Sequence, residues 1–336
     1  MSPPPKLAPA ARLALAHAED WARPRTLIVD PPAGAAAALG DAAPGAVLFS
    51  FEEATRRRAA VPVSAGATLP SGPFASVLVF QPKGTRRRDL LLAWAPQVLA
   101  KGGLVAFVGH NKEGIQSTRK RLGRCDTRSG HHCKLLLSPG DPGPRVSDPL
   151  AAWWTSYAHP EGFTVRGLPG VFSEDRPDPG SLALLAAMAG EVRGTLLDLG
   201  AGAGVLGVAL ARRQPGLAVT LAETDHLALA AAARTAGEAR GRVTCLAADV
   251  YAGVSGRFDT IIINPPFHRG VRTDYGVAAR MLGDAPAHLE DGGALWVVAN
   301  RHLPYEEALG SAFREVEERR DDGRFRVWRC AQPLGG

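Results

Sequence analysis

Apolar positions in this chain come in short blocks separated by longer amphipathic stretches. In the second half, apolar runs occupy residues 195–199, 219–221, 243–246 and 258–263, each closed by an acid, a glycine or an asparagine. Ala- and Leu-rich helical stretches such as Val205–Leu210 lie between them. Apolar runs this short read as strands buried on both faces, and strands alternating with helices read as a parallel α/β sheet.

The first half repeats the pattern. Val77–Phe80 with Gln81-Pro82 parallels Ile261–Ile263 with Asn264-Pro265. A helix over Leu90–Leu99 parallels one near 277–289, and Lys101-Gly102-Gly103 parallels Asp291-Gly292-Gly293. Leu104–Gly109 with Asn111 matches Leu295–Ala299 with Asn300. A repeat of half the chain predicts two similar domains of roughly 150 residues each. The turn-rich run Ser138-Pro139-Gly140-Asp141-Pro142-Gly143-Pro144 marks a linker, giving domains 1–145 and 146–336.

Candidate chemistry gathers at strand ends in the second domain. The strand Thr195–Leu199 runs into Gly200, Gly202 and Gly204, which permit a tight turn and close approach of a ligand to the backbone. Such a turn alone also fits nicotinamide enzymes. Glu223 closes the next strand, placed to accept from a ribose diol, with Asp225 as a possible substitute. Asp249 closes the third and is suited to an adenine amine. The fourth ends in Asn264-Pro265-Pro266-Phe267. Pro265 stops the strand, and Pro266 restrains Pro265. The stiff turn offers the Asn264 amide and the Pro265 carbonyl as two acceptors, with Phe267 as a flat apolar face. A planar base carrying an NH2 group suits that set.

These motifs resemble class I S-adenosylmethionine-dependent methyltransferases that act on exocyclic amines. Phe172-Ser173-Glu174-Asp175, Asp178-Pro179-Gly180-Ser181, Leu303-Pro304-Tyr305 and Gly323-Arg324-Phe325-Arg326-Val327 narrow the resemblance. They are similar to segments of the bacterial small-subunit rRNA guanine-N2 methyltransferase family, the C-type enzymes, closely over about residues 165–330. Glu223 stands where relatives often carry Asp.

The resemblance implies two tandem Rossmann-like class I methyltransferase domains, each a seven-stranded mixed sheet flanked by helices, the N-terminal one degenerate. It implies S-adenosylmethionine held by Asp198, Gly200, Ala201, Gly202, Glu223, Thr224, Asp249, Val250 and Asn264. It implies methyl transfer to guanine N2 in 16S rRNA, with Asn264, Pro265, Pro266 and Phe267 catalytic. The front copy fits degeneracy: Gln81 is a methylene longer than Asn, Lys83 replaces the second proline, and Asp30-Pro31-Pro32 follows the first strand as a simple turn. Alternatives are a large-subunit guanine-N2 enzyme and a non-catalytic RNA-binding module that retains the donor pocket. A nicotinamide oxidoreductase does not explain Asn-Pro-Pro-Phe.

Charge separates the halves. Residues 1–150 hold 20 basic and 11 acidic side chains, whereas residues 151–336 hold 19 and 22. Basic runs at Arg56–Arg58, Arg86-Arg87-Arg88 and Arg119-Lys120-Arg121 with Arg124 make the front domain a candidate rRNA-docking face. His268, just past the catalytic turn, is a further RNA-contact candidate. Four scattered cysteines, no apolar run long enough to span a bilayer and no secretion signal predict a cytoplasmic location; a monomer is the expectation, which rests on none of these features. Cys125, His131, His132 and Cys133 lack a common zinc spacing, so no metal is expected.

Overall fold

The computed structural model describes residues 7–334 except 145, 189, 191, 238, 240–241 and 267–271. Among these, side chains are not described for 272–275. The chain divides into two compact units, Met1–Trp154 and Thr155–Gly336.

The first unit carries strands β1 (Thr26–Val29), β2 (Val47–Ser50), β3 (Ser64–Ala65), β4 (Phe74–Phe80), β5 (Leu99–His110), β6 (Asp126–Gly130) and β7 (Cys133–Gly140). Their order is β3-β2-β1-β4-β5-β7-β6. The first five run parallel, while β7 and β6 are antiparallel additions. The second unit opens with the hairpin β8 (Thr155–Ala158) and β9 (Thr164–Gly167). Its sheet comprises β10 (Thr195–Leu199), β11 (Ala218–Glu223), β12 (Arg242–Ala247), β13 (Phe258–Ile263), β14 (Leu289–Asn300), β15 (Phe313–Asp321) and β16 (Phe325–Pro333). The order β12-β11-β10-β13-β14-β16-β15 repeats that of the first sheet strand for strand.

The inner strands read as continuous apolar runs because both faces are covered. Leu196, Leu197, Ile261, Ile262 and Ile263 are all fully buried. Strand order reverses between β10 and β13, and again between β1 and β4. At such a switch point the helices depart to opposite faces, which leaves a crevice at the strands' carboxyl ends.

Three expectations change. Ser138–Gly140 belong to β7, so the chain leaves the sheet only at Asp141. The division falls at Trp154/Thr155 instead of 145/146. The helices before β5 and β14 end early, at Trp94 and Gly283, and tighten into 3-10 turns holding Pro96 and Pro286. Proline there has no N–H for the α-helical bond.

The basic runs are the larger correction. Arg87 and Arg88 are buried, at 7% and 4% exposure. The Arg87 guanidinium lies over the Phe51 ring, 5.4 Å from its centroid. Arg88 donates to Asp89 at 2.7 and 2.9 Å and to Ser117 Oγ at 2.8 Å. Arg56 and Arg57 both pair with the buried Glu53. Charge runs look like solvated faces in a sequence, yet Arg87 and Arg88 point inward because Phe51 and Ser117 come to them from elsewhere in the chain, whereas Arg56 and Arg57 stay exposed and pair with Glu53 on their own helix. Arg119, Lys120 and Arg121 do stand exposed, on the helix Ile115–Leu122.

Arg88→Ala should therefore act through stability rather than RNA affinity. A loss of about 2–3 kcal/mol in urea denaturation is expected, short of a fully buried pair because Asp89 keeps some water. Arg119→Ala should leave the unfolding midpoint within error.

Candidate active site

The turn after β10 is built from glycine because its backbone must go left-handed three times. Gly200, Gly202 and Gly204 have φ of 75°, 54° and 78°. Gly200 and Ala201 donate their N–H groups to the Ala222 carbonyl at 2.8 and 3.1 Å, tying the turn to β11. The helix Val205–Arg213 then starts hard against the sheet. A Cβ on Gly207 would lie 2.4 Å from Leu221 Cδ2 and 2.9 Å from Val219 Cγ1. The sequence contains Gly207 in the same run, but only the packing shows why it is glycine.

Asp198, 1% exposed, accepts from the Gly207 N–H at 2.9 Å. It anchors the helix from within β10 and does not open onto the crevice. Burial pushes its carboxyl up to about 7, against the lowering effect of that hydrogen bond; Glu223 nearby adds to the rise.

Glu223 is committed to the backbone. Its Oε2 accepts from Gly202 N–H at 2.9 Å, and its Oε1 from Thr224 and Asp225 at 2.7 and 3.2 Å. A carboxylate has about four acceptor positions, so one remains on Oε2 for a ligand hydroxyl. Its pKa is raised, chiefly by burial. Asp225 caps the helix His226–Ala236 through Leu227 N–H at 2.8 Å, which makes it a poor substitute for Glu223. Asp249, 7% exposed, accepts from Arg280 at 3.1 Å, a partner the sequence did not reveal. Val250 beside it is held at φ 57°, a costly conformation for a β-branched residue.

Asn264 follows β13 at the same edge. Its Nδ2 donates to Asp178 Oδ2 at 3.1 Å and to Ser181 Oγ at 3.0 Å. Asp178 is simultaneously the N-cap of the helix Pro179–Ala187. Asn264 Oδ1 is buried and has no hydrogen-bond partner among the described residues. Pro265 is buried and Pro266 exposed, while Phe267 and His268 lie outside the described residues. Phe172, 54% exposed, approaches the glycine turn: a Cβ on Gly202 would lie 3.7 Å from its Cβ and its carbonyl oxygen. The crevice thus gathers the glycine turn, Glu223 and Asn264 at the ends of β10, β11 and β13, with Asp249 just beyond β12. The basic residues of the first unit belong to that unit's own sheet and helices.

In the first unit the equivalent edge is filled by its own side chains. Gln81 Oε1 accepts from Thr118 at 2.7 Å, and Asp30 Oδ1 accepts from Ser50 Oγ and Phe51 N–H at 2.9 and 2.8 Å. No left-handed glycine run follows β1; Pro31 and Pro32 lead into a 3-10 turn.

Asp198 predicts a pH effect. Its folded-state pKa lies above the ordinary 3.8, so the stability it contributes is full below that value and lost as pH rises toward about 7. Asp198→Asn should flatten this part of the profile. Urea melts of both proteins at intervals from pH 4 to 8 would check it, and identical slopes would contradict the burial argument.

Known proteins agree with this architecture. Residues 162–329 match the Methyltransferase small domain, and residues 13–157 match the Methyltransferase small domain N-terminal family. The chain is 35% identical over 261 residues to Ribosomal RNA small subunit methyltransferase C of Yersinia pestis (strain Pestoides F), covering 76% of this chain and 74% of that protein. The figures are the same for the protein of that name from Yersinia pseudotuberculosis serotype O:1b (strain IP 31758). The T. thermophilus 16S rRNA N2 G1207 methyltransferase (RsmC), solved in complex with AdoMet and guanosine, superposes with a TM-score of 0.81 at 25% identity, covering 97% of this chain and 92% of that one. With two matching sheets, both domain families and these relatives, the chain belongs to the ribosomal RNA small subunit methyltransferase C family.

Proposed function

We infer that this protein transfers a methyl group from S-adenosylmethionine to the exocyclic N2 of a guanine in 16S rRNA, equivalent to the G1207 of the T. thermophilus relative. The small ribosomal subunit is its substrate, and it acts as a cytoplasmic monomer. The observation that carries this reading is Asn264: its NH2 group is taken up by Asp178 and Ser181, and its buried oxygen has no partner among the described residues.

An unpaired buried acceptor costs stability unless a ligand completes it. A guanine N2 amine supplies the missing N–H. Donation from Asn264 to the Asp178 carboxylate polarises the amide and strengthens its oxygen as an acceptor. With the Pro265 carbonyl taking the second N–H, the amine nitrogen becomes more pyramidal and its lone pair less delocalised into the ring. Phe267, in this reading, stacks on the base, a contribution of ~1–3 kcal/mol.

The donor supplies an electrophilic sulfonium methyl, so the protein's task is alignment more than acid–base work. The chain fits that donor. Its glycine turn leaves backbone open to the methionine end, Glu223 keeps one acceptor position for a ribose hydroxyl, and Asp249 with Val250 borders the adenine. Ala201 and Thr224 complete the lining, and Asp198 anchors the helix after the turn through the Gly207 N–H. The first unit docks rRNA through the exposed Arg119, Lys120 and Arg121.

Asn264→Ala should lower kcat by about 100-fold or more, the size expected when a preorganised polar contact to the reacting group is removed. Donor affinity by calorimetry should stay within twofold. N2-methylguanosine in nucleoside digests of unmethylated subunits is the readout. Wild-type levels from the variant would sink this reading.

A further inference from the structure

A cleft lined by Asn300, Arg301, His302, Gly323 and Arg324 opens at the carboxyl edge of β14, where the β15–β16 turn crosses it. None of the methyl-transfer roles uses these residues. The second half of the chain is acidic on balance, so two exposed arginines and a histidine at one cleft stand against the background.

The local structure holds the two arginines side by side. Arg301 donates its N–H to the Arg324 carbonyl at 2.9 Å. Asp322 accepts from the N–H groups of Arg324 and Phe325 at 3.0 and 2.8 Å, which sets the turn around Gly323. The Arg324 guanidinium lies 4.9 Å from the Phe325 ring centroid and has no carboxylate partner among the described residues. Arg301 pairs through Nε with Asp321 at 3.0 Å, yet 54% of its side chain is exposed. Asp321 is shared with Arg326 at 3.3 Å, so it only partly offsets Arg301.

The cleft adjoins the Asn264 turn. Ile263 pairs with Val297, which sets Asn264 level with Val298, two residues short of Asn300 on the next strand. Adjacent strands lie about 4.8 Å apart. A second route leads to the same place. A Cβ on Gly180 would lie 3.1 Å from both the Phe325 ring and Asp178 Oδ2, the atom that clamps Asn264. Arg324 therefore stacks on the ring that packs beside the clamp.

We propose that this cleft binds the sugar–phosphate backbone of the RNA strand next to the target guanine, with Arg301 and Arg324 on phosphate oxygens. The proposal rests on the rRNA methyl-transfer reading. Guanidinium groups match phosphate geometry in paired hydrogen bonds and are less hydrated than ammonium. A base drawn out of its stack drags its own phosphates with it, and a grip on them at the crevice rim holds the nucleotide in place.

The test is a pair of double variants assayed on unmethylated small subunits at several salt concentrations. Arg301→Ala with Arg324→Ala should raise KM about tenfold, leave kcat and donor affinity within twofold, and make log KM less steep in log salt by roughly 1–2. Arg301→Lys with Arg324→Lys should keep the salt slope. Arg242→Ala with Arg314→Ala removes the same charge at the opposite, amino edge of the sheet and should match wild type. An unchanged KM and slope in the first pair, or an equal change in the amino-edge pair, overturns the proposal. If wild type methylates no rRNA, the methyl-transfer reading fails, and binding of a single-stranded RNA decamer decides the cleft. Weaker binding with a shallower salt slope in the first pair supports it, and equal binding refutes it.

Discussion

An asparagine side chain has two N–H donors and one carbonyl acceptor, and in Asn264 both donors are spent on the protein. Asp178 and Ser181 hold them at 3.1 and 3.0 Å. The amide therefore cannot flip without breaking two hydrogen bonds, and only its oxygen is left to meet a ligand. The clamp comes from the cap of a helix, since Asp178 also accepts from Ser181 N–H at 2.7 Å. One carboxylate thus starts the helix, orients the amide and polarises it. The proline pair fixes the backbone side of the same turn, so both acceptors are rigid before any substrate arrives.

The duplicated sheet shows what happens when that constraint is lifted. Both copies have the same strand order and the same crevice position. In the first, Gln81 replaces the asparagine, and its longer side chain reaches Thr118 and accepts a hydrogen bond there. The Gln81 oxygen is thereby paired, unlike that of Asn264, which has no partner among the described residues. Arg87 then folds over Phe51, and Asp30 closes onto the end of β2. The polar groups at this edge of the first unit are thus taken up by its own packing.

Much of this was legible in the sequence because it is local. Short apolar runs gave the parallel strands; the glycine turn, Glu223 and the Asn-Pro-Pro turn all lie within a few residues of a strand end. What escaped was long-range. Asp178 lies 86 residues before Asn264, and Arg280 lies 31 after Asp249. No periodicity links such partners. Asp178-Pro179-Gly180-Ser181 could be noticed as a segment, but its use as a clamp needs the sheet. The arginine runs misled for the same reason. Arg86 to Arg88 look like a solvated stripe until Phe51 and Ser117 are brought to them. Ser138 to Gly140 carry turn residues, yet β7 is near the sheet edge and tolerates a proline there.

Removing the buried arginines from the count changes where charge can do its work. The first unit keeps an exposed basic helix, Ile115–Leu122, whose Arg119, Lys120 and Arg121 can attract a polyanion at a distance. Such attraction fades over about 8–10 Å at physiological salt and does not by itself grip a strand at the crevice. That grip has to come from groups fixed to the same sheet as the acceptor. Arg301 and Arg324 meet that requirement because a backbone hydrogen bond joins them at the edge of β14, beside the strand that ends in Asn264. Steering and positioning would then be divided between the two copies. On the proposed reading the first unit gathers the RNA and the second holds the nucleotide still.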